Sequence, residues 1–465
     1  MPDEKINAGQ KALAINLDAL KYGTFAEIGA GQEVARCFFR AGGAAGTVAK
    51  TISAYDMAVS DAIYGPADRY VSRKRLQAML DGEWMLLIQR LEKARGEKTS
   101  FFVFANTVAT RSYTRHEEGH GWLGVRFQVS PQEPPSEIII HVRLLDTENV
   151  REQEALGIIG VNLIYGAFYF HVQPVKLIGS LLDDLSPGRV EVDVIKFSGP
   201  GFAAVDNRLM ALQLVEQKLT EAAMFTAKGE AVIPSEVLYK KPVLVERGSF
   251  RPLTNVTLDL LERGLEQFQR EPQLQGETPV VLMEITLSQL LVDEKMDHRD
   301  FLDRVDTLSA LGKTVLISNF GRYHKLVGYL SRQTQKMVGL PLGVTRLRDV
   351  LNEKFYTDLP GGLLESLGTL FKNSTKLYVY PALDRETGEL ITLDNLQVAP
   401  NLRHLFAHLR ENKFVEAITN YNAGYLATYS ADILNKIKAG DPSWEQLVPP
   451  PIVQVIKTKK LFGHS

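Results

Sequence analysis

The spacing most like a catalytic device is His116-Glu117-Glu118-Gly119-His120. On a helix, H-E-x-x-H sets two imidazoles on one face and a glutamate beside a metal-bound water, as in a zinc hydrolase. The surroundings argue against a helix. Ser112 to Arg115 bring no apolar stripe, Gly119 and Gly121 disfavour helix, and a strand-like WLGVRFQV follows at once. An extended zincin would also need a third histidine where Arg126 stands. The stretch therefore reads as a β-hairpin loop, with a zinc hydrolase on His116, Glu117 and His120 as a distant alternative. His404 and His408 lie one turn apart on LRHLFAHLRENK without a third ligand, and read as surface or packing histidines. No metal, cofactor or catalytic residue is assigned.

Anion-binding chemistry has better candidates. Gly29-Ala30-Gly31-Gln32 resembles the turn between a strand and a phosphate-binding helix, where glycine lets backbone N–H groups point at an anion. The dinucleotide fingerprint G-x-G-x-x-G is incomplete, since Ala35 falls near the place of the third glycine. A polar set, Asn106, Arg111, His120, Arg126, His141, Arg143 and Asp146, falls on or at the ends of consecutive strand-like segments. Arginines and histidines emerging from adjacent strands suit an anionic substrate. The expected ligand-binding residues are thus Gly29, Gly31, Gln32, Asn106, Arg111, His120, Arg126, His141 and Asp146. Ser198-Gly199-Pro200-Gly201 and Pro360-Gly361-Gly362 serve equally well as ligand loops or turns. Ser318-Asn319-Phe320-Gly321-Arg322 closes a buried strand at its carboxyl end, the usual binding edge of an open α/β sheet. The single cysteine, Cys37, sits among Val34, Phe38 and Phe39 and reads as a small buried apolar residue, with Arg36 and Arg40 keeping a reactive thiolate as a weak option.

The elements that must hold these groups follow from periodicity. Residues 1–98 read as a mostly helical, glycine-rich region with a short strand or turn at Phe25–Ile28. Helical spacing covers Glu33–Arg40, Thr47–Ala62 and the clearer amphipathic stretch Arg75–Ala94. From Ser100, short β-branched and aromatic runs alternate with helical patterns, which argues for an α/β region over 99–270. Arg270–Thr278 is polar and turn-rich and reads as a linker. A second α/β region over 271–465 follows, with buried-type strands at PVVLMEITL, KTVLISNF and KLYVYPAL and helices at Tyr323–Met337, Val344–Tyr356 and Gly362–Phe371. The expected fold is α/β, with mixed or parallel sheets in both regions.

Composition bounds the function. The 465 residues are 45% hydrophobic and 23% charged, ordinary values for a folded chain of two or three domains. A formal charge of −2 argues against nucleic acid and anionic membrane as partners. The start of the chain is charged and lacks the apolar run of an export signal. Its longest uncharged apolar stretch, Ala155–Phe170, is too short to span a membrane, so a cytoplasmic location is expected.

FAEIGAGQEVAR, HGWLGVRFQ, EALGIIGVNLIYGAF, PSEVLYKKPVLVERG and GDPSWEQLVP together resemble a widespread, uncharacterised bacterial family over nearly the whole chain. Labels carried by such sequences include nicotinate-nucleotide adenylyltransferase and TonB-dependent receptor. An outer-membrane receptor needs an export signal and many amphipathic strands. That class of nucleotidyltransferase needs a T/H-x-G-H motif near its start, and His116–His120 is one residue too long and lies in mid-chain. The resemblance implies no catalytic residue. The expected function is binding or transforming a nucleotide-like or phosphorylated small molecule at strand ends. The alternative is a homo-oligomeric assembly protein in which small-residue helices over Gly42–Ala62 pack between subunits.

Overall fold

The computed structural model describes residues 6–111, 118–292 and 295–464. In chain order the elements of the first half are α1 (Ala8–Asn16), β1 (Lys21–Ile28), α2 (Glu33–Ala41), β2 (Val48–Ile52), α3 (Met57–Tyr64), α4 (Arg73–Arg95), β3 (Ser100–Ala109), β4 (Gly119–Phe127), β5 (Ser136–Leu144), α5 (Asn149–Tyr169), α6 (Pro174–Ser180), β6 (Val190–Ser198) and α7 (Asn207–Glu216). The second half continues with β7 (Ala222–Phe225), β8 (Ala231–Val232), α8 (Pro234–Leu238), β9 (Val243–Arg247), α9 (Asn255–Gln269), β10 (Val280–Thr286), the short pair β11 (Leu291–Val292) and β12 (Lys295–Met296), α10 (His298–Ala310), β13 (Thr314–Ser318) and α11 (Tyr323–Gln333). It closes with β14 (Val338–Gly343), α12 (Val344–Val350), α13 (Gly362–Leu370), β15 (Lys376–Tyr380), the short pair β16 (Ala382–Leu383) and β17 (Leu390–Ile391), α14 (Arg403–Glu411), β18 (Val415–Ala417), α15 (Ser430–Ala439) and α16 (Pro450–Lys459).

The chain is α/β throughout and divides into two compact units, Met1–Thr220 and Glu221–Ser465, each with its own sheet. One boundary, after Thr220, stands in place of the two expected after 98 and 270. Residues before 98 do not form a separate helical region, because β1 and β2 join β3–β6 in one six-stranded sheet of order β2-β1-β3-β4-β5-β6. Arg270–Thr278 is the connection from α9 to β10 inside the second unit: β9 and β10 pair in parallel on either side of it.

In the first unit, β1 pairs in parallel with both β2 and β3, and β3 to β6 continue antiparallel. Alternate residues go to opposite faces. Phe102, Phe104, Leu123, Val125, Ile138 and Ile140 join the core under α1, α2 and α5. The other face takes α4, whose buried Leu76 and Leu80 lie against Gly124. Thr47–Ala62 is not one helix. Its β-branched Val48, Thr51 and Ile52 pair as β2, and only Met57–Tyr64 is helical. The apolar run Ala155–Phe170 belongs to α5, a core helix. Its Asn162 accepts from buried Lys11 of α1 at 2.8 Å and donates to the carbonyls of Leu181 and Asp183. Gly157 and Gly160 let α2 close on α5: a Cβ at 160 would stand 2.3 Å from Val34, and one at 157 would stand 3.2 Å from Cys37 Sγ. Burial in this crossing pushes the Cys37 thiol up to about 11, which supports its reading as a packing residue.

The second unit holds an eight-stranded sheet of order β18-β15-β14-β9-β10-β13-β7-β8. Six of its strands, β18 to β13, are parallel, with antiparallel β7 and β8 at one edge. Taken in chain order the parallel strands run 3-2-1-4-5-6, a doubly wound arrangement that reverses between β9 and β14. The sequence reading passed over β14 and β18. β14 contains Pro341, which normally excludes a central strand. Here Pro341 marks the reversal. β14 pairs with β9 only at Val338 and Gly339, while its pairing with β15 runs on to Gly343. The alternation of a parallel ladder puts the next β14 donor toward β9 at Pro341, which has no N–H. The two strands part there, and a crevice opens at their carboxyl ends.

One glycine tests the first sheet. Gly29 has φ +100°, and a Cβ there would lie 1.8 Å from the carbonyl oxygen of Val108. Gly29→Ala is expected to cost about 3 kcal/mol or more, through strain plus displacement of β3. Urea unfolding should show it as a lower midpoint at unchanged slope.

Candidate functional site

The expected site in the first unit comes apart on inspection. Gly29 and Gly31 adopt positive φ, +100° and +78°, so glycine is required at both by backbone geometry. The α2 terminus they lead into already holds an anion, the carboxylate of Glu27 at the end of β1. Glu27 accepts from Val34 N (3.2 Å) and Ala35 N (2.8 Å) of the first helical turn and from Asn106 Nδ2 (3.0 Å). Gln32 faces away, accepting from Thr51 Oγ1 at 2.7 Å. The seat resembling a phosphate site is occupied by the chain itself. Glu27 is fully buried, and desolvation outweighs its three donors and pushes its carboxyl up to about 7.

The polar set is divided between faces and ends. Asn106 shares a face with Leu123, opposite to His120, Trp122 and His141. Arg126 lies six residues along β4 from His120, roughly 20 Å away at strand rise. There it is spent on Glu137 (2.7 and 2.9 Å) and Asp81 (2.6 Å). Asp146 accepts from Arg189 Nε at 2.8 Å, and the backbone N–H of Arg111 donates to Glu152 at 2.7 Å. Arg143 pairs with Glu118 and Glu191.

His120 and His141 do meet, Nδ1 to Nε2 at 3.2 Å, and His141 Nδ1 continues to Asp193 Oδ1 at 2.6 Å. Asp193 was not foreseen. It stands at a β-bulge: the pairing steps from Val142–Val192 to His141–Val194, leaving Asp193 as the extra residue turned toward the histidine. Burial first, and then His141, push His120 down to about 4, so at neutral pH it is an uncharged imidazole. His116 and Glu117 lie outside the described residues. Among those described, no group of three or more His, Cys, Asp and Glu is placed to hold a metal ion.

The second unit assembles a site at its sheet reversal. A cleft of about 370 Å³ opens over the carboxyl ends of β9, β10 and β13, walled by α11 and α12. Its floor comes from three neighbouring strands in register. Arg247 ends β9 opposite Glu284 of β10, and Ser318 ends β13. Glu284, fully buried, receives Arg247 Nε at 2.5 Å, Arg247 Nη2 at 2.9 Å and the Ser318 hydroxyl. The guanidinium lies 4.7 Å from the ring centre of Tyr323 and is only 7% exposed. Two of its nitrogens, Nε and Nη2, are thus committed to Glu284, and the side chain lines the cleft. Burial pushes the Tyr323 phenol up to about 12, so it stays protonated.

Beside Arg247, α11 starts at Tyr323 with Arg322 as N-cap and no side-chain cap on its first-turn N–H groups. Arg322 pairs with Asp358 at 2.6 Å, which holds that carboxyl below the usual range, and Arg346 of α12 pairs with Asp349 at 3.2 Å. The exposed Phe355 and the buried Tyr356, whose ring lies 5.5 Å from the Arg322 guanidinium, complete the lining. Buried Arg304 steadies the rim, since its Nη1 donates to the carbonyls of Ser249 and Gln289 in the loops after β9 and β10. Glu246, one residue before Arg247, is buried with no hydrogen-bond partner for Oε2 among the described residues; burial raises its carboxyl far above the usual range. Of this site, the sequence had singled out only Ser318–Arg322. Arg247 and Glu284 stand 37 residues apart and meet only through strand register.

No protein-family profile and no curated protein matches the chain. Two similar solved structures are the competence/damage inducible protein CihA from Agrobacterium tumefaciens and a competence-damaged protein (CinA) superfamily protein from Enterobacter cloacae. The first is 16% identical with a TM-score of 0.25, covering 35% of this chain and 97% of its own. The second is 13% identical with a TM-score of 0.26, covering 36% of this chain and 95% of its own. Likenesses this weak do not bear on function. Among the described residues no helix is long and apolar enough to cross a membrane.

The buried carboxyl of Glu27 sets a pH dependence. It ionises near 4.5 unfolded and near 7 folded, so the stability its protonated form contributes is full below 4.5 and lost as pH rises toward 7. The loss is about 3 kcal/mol. His120 works in the opposite sense, losing stability as pH falls from 6.5 toward 4. Glu27→Gln should therefore be more stable relative to the parent at pH 7 than at pH 4.5. Chemical denaturation at both values checks it; an equal difference at the two would contradict the assignment.

Proposed function

We propose that the second unit binds a phosphorylated, nucleotide-like small molecule in the cleft at its sheet reversal. The observation that carries this reading is Arg247, held by Glu284 and packed on Tyr323, lining the same cleft as the uncapped start of α11. A guanidinium and an uncapped helix start lining one cleft favour an anion there, and the reversal of an open α/β sheet is where such ligands bind. Tyr356 and Phe355 suit a planar ring, and Thr286 and Ser288 bring hydroxyls to the same space. The ligand class is the one expected from the sequence, moved from the first sheet to the second.

Removing Arg247 alone would leave Glu284 buried without its counter-charge, which destabilises by roughly 3–5 kcal/mol. The informative variant is Arg247→Met with Glu284→Gln. It should remain folded and lose AMP binding at least tenfold by titration calorimetry, while Arg126→Ala should bind as the parent does. Undiminished binding by the double variant would refute the site.

Self-association is the second reading, and one observation favours it. α3 exposes Met57 (62%), Val59 (49%) and Ile63 (42%), with only Ser60 buried. An apolar helix normally lies covered. The helix-to-helix contact expected over Gly42–Ala62 is replaced by this shorter surface. If a second copy covers it, Ile63→Glu should convert an oligomer to monomer in sedimentation velocity at unchanged circular dichroism.

A further inference from the structure

The arginines around the cleft fall into two kinds. Arg247 cannot move, being buried and bound twice by Glu284. Arg322 and Arg346 find their counter-charges only in exposed carboxylates, and Arg322 also lies over the Tyr356 ring at 5.5 Å. The Arg322–Asp358 pair has side chains 30% and 55% exposed, and the Arg346–Asp349 pair 64% and 51%. Exposed pairs of this sort contribute little, roughly 0–1 kcal/mol, so either guanidinium can exchange its partner. Both stems begin at the cleft, Arg322 at the N-cap of α11 and Arg346 in the helix that follows β14.

Resting on the cleft as the binding site, we infer that it selects a phosphate monoester, which displaces Asp358 and Asp349 from Arg322 and Arg346 and takes their place. A group that replaces two carboxylates must bring two negative charges, or one guanidinium loses its counter-ion. A phosphate monoester does so near neutral pH, with three acceptor oxygens for Arg247, the α11 N–H groups and the two mobile arginines. A phosphodiester brings one charge and meets half the demand. An uncharged nucleoside meets none of it. The aspartates then act as a threshold: they keep the arginines occupied until a ligand of sufficient charge arrives.

The test is titration calorimetry with AMP, ribose 5-phosphate, 3′,5′-cyclic AMP and adenosine on the full chain and on Asp349→Asn/Asp358→Asn. Both aspartates are exposed, so the variant should fold, and circular dichroism verifies that. At least one monoester should bind tenfold or more tightly than cyclic AMP. The double variant should bind that monoester several-fold more tightly and narrow the gap to cyclic AMP, because nothing remains to be displaced. Equal binding of monoester and cyclic AMP, or a double variant that binds no better, overturns the displacement inference. Adenosine binding as tightly as AMP would overturn it while leaving a nucleoside site in place. No binding by any of the four would bring down the cleft reading itself.

Discussion

Taking a carboxylate out of water costs several kcal/mol, which converging donors offset in whole or in part, and each unit gathers such donors at the carboxyl end of a strand. In the first unit, Glu27 draws its donors from the start of α2, and the helix terminus is consumed in satisfying it. In the second, Glu284 draws its donors from Arg247 and Ser318, side chains of neighbouring strands, and the start of α11 stays open. The two sheets thus answer one electrostatic problem in opposite ways. One closes its most phosphate-like feature; the other builds a cationic floor beneath a free helix terminus.

That contrast also explains why sequence pattern pointed to the first unit and passed over the cleft of the second. Glycines in GAGQ are visible in one dimension, and they do what glycine permits, positive φ and close backbone approach. What fills the turn is a glutamate two residues upstream, and nothing in the spacing says that its side chain folds back. Conversely, VLVER, VLMEIT and TVLIS each look like ordinary buried strands with a polar end. Only their register brings Arg247, Glu284 and Ser318 to one point. The alternation of helix and strand, and so the α/β class, was legible, as was the stripe of α4. β2 is hidden in a run that reads as helix because the alanines and glycines on either side of its β-branched Val48, Thr51 and Ile52 carry little periodicity. Asp193 was missed because a bulge, which no local pattern announces, turns it to His141.

The first unit has features beyond its plugged helix. His120, His141 and Asp193 form a line of hydrogen bonds across three strands, with the Trp122 ring 5.0 Å from His141. A carboxylate only accepts, so it fixes the proton on His141 Nδ1 and orients the ring toward His120. This is a fixed, internally satisfied arrangement on the α4 side of the sheet. It gives that face a polar seam where a sheet of this size would otherwise be apolar.

Pro341 has a consequence for how such a protein can diverge. The parting of β9 and β14 comes from a missing main-chain donor and does not depend on the bulk or charge of any rim residue. Substitutions at the exposed Arg346 or Phe355 would change the charge and lining of the crevice while leaving its existence untouched. The parting of the strands and the exposed lining of the crevice are therefore held on separate parts of the chain. A lineage carrying this strand can have the lining of its crevice rewritten by surface replacements alone, without ever closing the opening.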